Sequence, residues 1–265
     1  MFMHRLISTL ILVPLVLLAL YFAPPWFLGS IIVLILLVAG GECWQLIPLK
    51  NPSIQLSFIL VLLLSLWVCN YVFIYWLMLG LIGWIFICIA IVTFPKSQSY
   101  WGHPAIVACI CILLLPLFIQ SLRHLYYLPQ GKHLLVYLLF LIWASDIGAY
   151  LTGKHWGRHK LIPQVSPGKS WEGVLGGFGL AMIIALIGGF YFKPASILYW
   201  LFLAMFTVII SIFGDLFISI LKRRCHLKDT GTLIPGHGGI LDRLDSLIAA
   251  LPLFYFGLTY IPPGT

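Results

Sequence analysis

Charge is what this sequence has least of. Its 265 residues hold seven acids and fifteen lysines and arginines, so 8% are charged while 62% are hydrophobic. A soluble domain of ordinary composition carries about 25% charged residues, and the shortfall excludes one. The chain also lacks a linker, a low-complexity tract and a convincing internal repeat, which argues against a disordered region or stacked modules. Nor do the six cysteines build a disulfide framework. Cys43, Cys69, Cys88, Cys109 and Cys111 fall in apolar runs, where a free thiol behaves as a small hydrophobe. Cys109 and Cys111 lie about 200° apart around a helix and cannot chelate one metal together.

What is present is a series of long apolar runs with short polar breaks, the pattern of a polytopic, all-α integral membrane protein. The expected spans are nine: 6–23, 27–47, 54–70, 72–94, 104–121, 134–152, 173–192, 196–221 and 245–261. The basic start (His4, Arg5) before the first run resembles a signal peptide, but the length of that run and the Pro24-Pro25 pair after it make it a retained helix. Twelve lysines and arginines fall on the side of the N-terminus and three on the other. The positive-inside rule then places the N-terminus and the two long basic loops, 153–172 and 222–244, in the cytoplasm.

Six of the seven acids lie between Asp146 and Asp245; Glu42 is the only one before them. Residues 1–133 therefore read as membrane scaffold and 134–265 as the catalytic region. A carboxylate inside a span is costly and usually faces a site, which singles out Asp146 and Asp215. Asp215, Ser219 and Lys222 fall at i, i+4 and i+7, on one helix face. The loop before the seventh span reads "SPGKSWEGVLGG". Its Gly168-Lys169-Ser170 triplet is no nucleotide P-loop, because Pro163 stands where that pattern needs glycine and no strand is expected before it. Lys169 and Ser170 either present a phosphate to free N–H groups at a helix start, or Ser170 caps that helix while Glu172 complements its dipole. His155 and His159 have zinc-like spacing but lie among Lys154, Arg158 and Lys160 with no nearby acid, and read as solvated. The ten tryptophans and twelve tyrosines read as an interfacial belt, with no stacking site for nucleic acid.

The last loop is the richest stretch: "SILKRRCHLKDTGTLIPGHGGILDRLDS". Cations (Lys222, Arg223, Arg224, Lys228, Arg243) alternate with carboxylates (Asp229, Asp242, Asp245), and Gly231, Gly236, Gly238 and Gly239 let the backbone come close to a ligand. Those are the needs of a Mg²⁺-bound polyphosphate.

From Ser219 to Asp245 the chain resembles the phosphatidate cytidylyltransferase family, the CDP-diacylglycerol synthases. Ser219, Lys222-Arg223, Lys228-Asp229, His237-Gly238-Gly239 and Asp242-Arg243-Leu244-Asp245 stand at the family's spacing, without departure. "SPGKSWEG" is similar to an upstream element of the family, with Ser170 in place of threonine, and "SDIGAY" around Asp146 also fits. The resemblance is clear from about residue 140 to the end.

It implies a reaction of phospholipid biosynthesis: CTP and phosphatidate give CDP-diacylglycerol and pyrophosphate. It also implies Mg²⁺, a second and monovalent cation, and a homodimer in a bacterial inner membrane, with the active site facing the cytoplasm. On that reading Asp215, Asp242 and Asp245 hold the metal, and with Lys222 form the catalytic set. Arg223 and Lys228 bind the triphosphate, Arg243 either phosphate, and Lys169, Ser170, Ser219, Asp229, Gly238 and Gly239 complete the substrate site. His237 contacts phosphate or stabilises the glycine turn. The rival readings are a CTP-dependent lipid kinase, an ion-coupled transporter using Asp146 and Asp215, and a non-catalytic scaffold.

Overall fold

The computed structural model describes residues 2–48, 51–233 and 238–261. Nine long helices account for most of them: α1 (Phe2–Phe22), α2 (Pro25–Gln45), α3 (Pro52–Tyr71), α4 (Phe73–Val92), then after the four-residue α5 (Gln98–Trp101), α6 (Pro104–Tyr127), α7 (Gly131–Trp156), α8 (Trp171–Phe192), α9 (Ile197–Arg224) and α10 (Leu241–Tyr260). Seven of them, α2 to α4 and α6 to α9, are long and apolar enough to cross a membrane. The protein is an integral membrane protein with an all-α fold, but the expected count of nine spans is not matched one for one. Among the described residues α1 offers a shorter apolar stretch, Val13–Phe22. α10 opens with Asp242, Arg243 and Asp245, which dilute its apolar character.

Local chemistry sets the boundaries. Pro25 and Pro52 begin α2 and α3, where a missing N–H costs nothing, and the Asn51 side chain accepts from Ser53 N at 3.0 Å. Within 54–94, where few polar residues mark a break, Val72 alone separates α3 from α4. α9 ends in Lys222, Arg223 and Arg224, cations on the negative end of the helix dipole.

One feature of the loop after α7 was not expected. β1 (Lys160–Ile162) and β2 (Ser166–Ser170) form a small antiparallel hairpin before α8. The Ser-Pro-Gly-Lys-Ser strand has no β-branched or aromatic residue to announce it. It is held by a tight turn, with Val165 N donating to Ile162 O, and by Trp171 N donating to His159 O at 2.9 Å.

The chain divides into two compact units. The first comprises Met1–Arg123 with Ile220–Asp245, and the second His124–Ser219 with Ser246–Thr265. In the first, polar ties join α6 to its neighbours: Trp76 Nε1 donates to Leu113 O at 2.9 Å, and Arg123 to the Asn70 side chain at 2.6 Å. In the second, α7 and α8 approach closely enough that a methyl group on Gly148 would lie 2.6 Å from Gly176 O. Close backbone contact of this kind replaces the hydrophobic drive that is missing between helices in lipid. Tyr137, Trp200 and Phe254 pack as an aromatic cluster, with Trp200 Nε1 donating to Ala185 O at 2.9 Å.

Candidate active site

Each unit contains a lysine–aspartate pair built from residues singled out in the sequence. In the second unit, Lys169 reaches from β2 to Asp215 on α9, with Nζ 2.5 Å from Oδ2. The other oxygen of Asp215 accepts from Ser219 Oγ at 3.2 Å, across one helical turn. Both members of the ion pair are about one-third exposed. Ser170, next to Lys169, is buried and accepts from Gly173 N at 3.1 Å, so it is the N-cap of α8. Of the two readings offered for Ser170, the structure shows the cap.

Glu172 does more than complement a dipole. Its carboxylate accepts from the backbone N–H groups of Arg158 and His159 at 3.1 to 3.2 Å, and lies 2.6 Å from His159 Nδ1. His159 therefore has an acidic neighbour after all, thirteen residues away in sequence but adjacent across the hairpin. His155 instead sits 2.8 Å from Leu151 O, within its own helix. Asp146 lies on α7, exposed.

In the first unit, Lys222 Nζ lies 2.6 Å from Asp242 Oδ1, with the Asp242 side chain 3% exposed. The second oxygen, Oδ2, accepts from Thr230 N at 2.8 Å, Gly239 N at 3.1 Å and Thr230 Oγ1 at 3.0 Å. Burial pushes the Asp242 carboxyl up, but the Lys222 ammonium and these N–H donors outweigh it and hold the group below the ordinary aspartate value. Asp242 thus anchors both ends of the loop, and Gly238, with φ +85°, supplies the left-handed turn beside it.

The remaining candidates are more open. Lys228, Asp229 and Arg243 are exposed and Asp245 is half-buried. The Arg223 guanidinium donates to Leu227 O at 3.1 Å, fixing the turn after α9. His237 and Gly236 lie outside the described residues.

Sequence reasoning passed over two residues. Glu42, assigned to the scaffold, is buried at 5% exposure and binds this same loop. It accepts from Ile240 N at 2.9 Å, Leu241 N at 2.7 Å and Thr230 Oγ1 at 3.0 Å. The rule applied to Asp146 and Asp215, that an acid within an apolar helix marks a site, would have found it. Arg224 was noted only as one loop charge. Its two terminal guanidinium nitrogens are buried and have no hydrogen-bond partner among the described residues, so an anion would satisfy them.

The donor chemistry suits a hard divalent cation, since the acids offer carboxylate oxygens. A lysine ammonium sits on both Asp215 and Asp242. Among the described residues no three histidines, cysteines or acids stand close enough to form an all-protein cage. Carboxylates standing singly or in pairs fit an ion such as Mg²⁺, which usually takes one or two carboxylates plus phosphate oxygens and water.

The chain is similar to known proteins along most of its length. Residues 3–261 match the model of the cytidylyltransferase family. The chain is 35% identical over 282 residues to a phosphatidate cytidylyltransferase of Haemophilus influenzae, covering 97% of this chain and 98% of that one. It is 38% identical over 196 residues to the Pseudomonas aeruginosa protein of that name, covering 67% and 66% of the two. A Staphylococcus aureus phosphatidate cytidylyltransferase is 44% identical over 127 residues, about half of either chain.

Proposed function

The chain belongs to the cytidylyltransferase family, and from that premise we propose that it makes CDP-diacylglycerol from CTP and phosphatidate. The observation that carries this reading is the Lys222–Asp242 pair. It is seated on the N–H groups of Thr230 and Gly239 at the start of α10, in the middle of the sequence signature.

In the reaction a phosphate oxygen of phosphatidate attacks the α-phosphorus of CTP. A new P–O–P linkage forms, the bond from the α-phosphorus to its bridging oxygen breaks, and pyrophosphate leaves with that electron pair. The nucleophile is already an anion, so no strong general base is required, and none is assigned. The problem is repulsion between two anionic partners and charge on the leaving group, which preorganised cations relieve. Lys222, Arg223 and Lys228 take the triphosphate, and Arg243 takes either phosphate. Lys169 is the corresponding cation of the second unit. When bound, Mg²⁺ would take carboxylate oxygens from Asp242 and Asp245 in the first unit or from Asp215 in the second, and would supply Lewis-acid stabilisation of the phosphoryl oxygens.

The same reading places the protein in a bacterial inner membrane as a homodimer, with a monovalent cation as a second ion. The excess of lysine and arginine supports a site at the cytoplasmic face. There a soluble nucleotide meets a lipid headgroup entering from the leaflet.

The test uses purified protein in detergent with phosphatidate, Mg²⁺ and CTP labelled at the α-phosphate. Label in the lipid together with released pyrophosphate is the expected outcome. Folded protein that leaves the lipid unlabelled across a range of divalent metals overturns the proposal. Label reaching the lipid only in a parallel reaction with γ-labelled CTP would identify a lipid kinase.

A further inference from the structure

Glu42 stands at the end of α2, far in sequence from every residue of the signature, yet its only described side-chain hydrogen bonds are to that segment. All three partners are neutral donors: the N–H groups of Ile240 and Leu241 and the Thr230 hydroxyl. A buried carboxylate with no cation beside it is costly unless aligned N–H groups satisfy it. The first turn of α10 presents such groups. Asp242 reaches the same region from within α10. The helix start thus carries two carboxylates, one of its own and one from α2.

The two are coupled through one side chain. Thr230 Oγ1 lies 3.0 Å from Glu42 Oε2 and 3.0 Å from Asp242 Oδ2. A hydroxyl has a single proton and donates to one of them at a time. The backbone closes on Glu42 as well: a methyl group on Gly231 would lie 2.6 Å from Glu42 Oε1, and one on Gly239 would collide with Oε2. The backbone groups that fix Asp242 Oδ2 therefore neighbour groups that Glu42 fixes. Thr230 offers its N–H to Asp242 and holds its hydroxyl within reach of both carboxylates, while Gly239 precedes the Ile240 and Leu241 amides.

We infer that Glu42 is a positioning residue for the cytidylyltransferase reaction, holding the 230–241 segment so that Asp242 and Lys222 meet in their working geometry. The inference rests on the proposed function for what that geometry accomplishes. The holding itself is a statement about this chain alone. Glu42 touches no reacting atom; it acts through Thr230 and the start of α10.

The experiment compares wild type with Glu42→Gln and Glu42→Asp in detergent, reading amide exchange, melting temperature, and kcat and KM for both substrates. Glutamine cannot accept from Ile240 N, Leu241 N and Thr230 together. We expect faster exchange confined to 238–241, kcat lowered at least about tenfold, the scale for residues that orient a functional side chain, and a phosphatidate KM within about twofold of wild type. Glu42→Asp, which keeps the charge on a shorter stem, should recover part of kcat. Wild-type kcat and unchanged exchange in Glu42→Gln overturn the inference. So does a loss spread equally over melting temperature and both KM values with no rescue by aspartate. If Glu42→Gln does not fold, Thr230→Val takes its place, and unchanged kcat there overturns the inference equally. A wild-type protein that forms no CDP-diacylglycerol removes the proposed function instead, and the exchange measurement still decides whether Glu42 holds the segment.

Discussion

Lys222 and Asp242 form a 2.6 Å ion pair in which the side chains are 11% and 3% exposed. A pair this enclosed is weak support for stability in itself, because the desolvation of both charges offsets most of their attraction. Removing one partner is another matter, since it leaves the other buried and uncompensated, at a cost of about 3 kcal/mol or more. Lys222→Met should therefore lower the melting temperature as well as activity. Adding Asp242→Asn to Lys222→Met should return part of the stability and none of the activity. Recovery of both would mean that the pair serves packing alone.

The Lys169–Asp215 pair is more open, and its two halves separate kinetically. If Lys169 binds triphosphate, Lys169→Met removes a charged hydrogen bond made in ground and transition states alike. The KM for CTP should rise about tenfold or more, with kcat less affected. Asp215→Asn should lower kcat by about a hundredfold, the scale of one strong transition-state stabiliser. Steady-state kinetics with CTP as the varied substrate distinguishes them, and identical profiles for the two variants would remove the assignment.

The contrast between these pairs shows what can be read from one dimension. Asp215, Ser219 and Lys222 share a helix, so their common face follows from 3.6 residues per turn. Lys169 and Asp215 were each picked out, but their meeting depends on a hairpin whose second strand has no strand-forming residue. The helices themselves were legible because a span needs about twenty apolar residues and the chain has little else. The charged first turn of α10 blurred the count. Glu42 was missed for a different reason. Nothing within ten residues of it is charged except Lys50, so no local pattern connects it to the loop it binds.

Asp242 also makes stability depend on pH in a defined direction. Burial raises its carboxyl and the donors around it lower it further, for a net depression. A depressed carboxyl contributes stability that is complete above the unfolded aspartate value of about 3.9 and is lost as pH falls through the lower folded value. The melting temperature of Asp242→Asn should thus trail that of wild type at neutral pH, with the gap closing below about pH 4. A gap that stays constant into acid would show that the aspartate's ionisation is not what stabilises this loop.

The contact between α7 and α8 gives a prediction with an internal control. Glycine inside a helix costs roughly 1 kcal/mol relative to alanine, so replacing one should help unless the added methyl has nowhere to go. At Gly148 it would lie 2.6 Å from Gly176 O and 3.0 Å from Gly177 Cα, both backbone atoms that cannot rotate aside. At Gly179, also in α8, it would meet nothing within 4 Å. Gly148→Ala must force the two helices apart, and with them the α7 end and the α8 start between which β1 and β2 carry Lys169. It should lower both the melting temperature and turnover. Gly179→Ala should leave turnover unchanged and hold or raise the melting temperature. Equal effects from the two substitutions would mean that helix propensity, and not close approach, governs this interface.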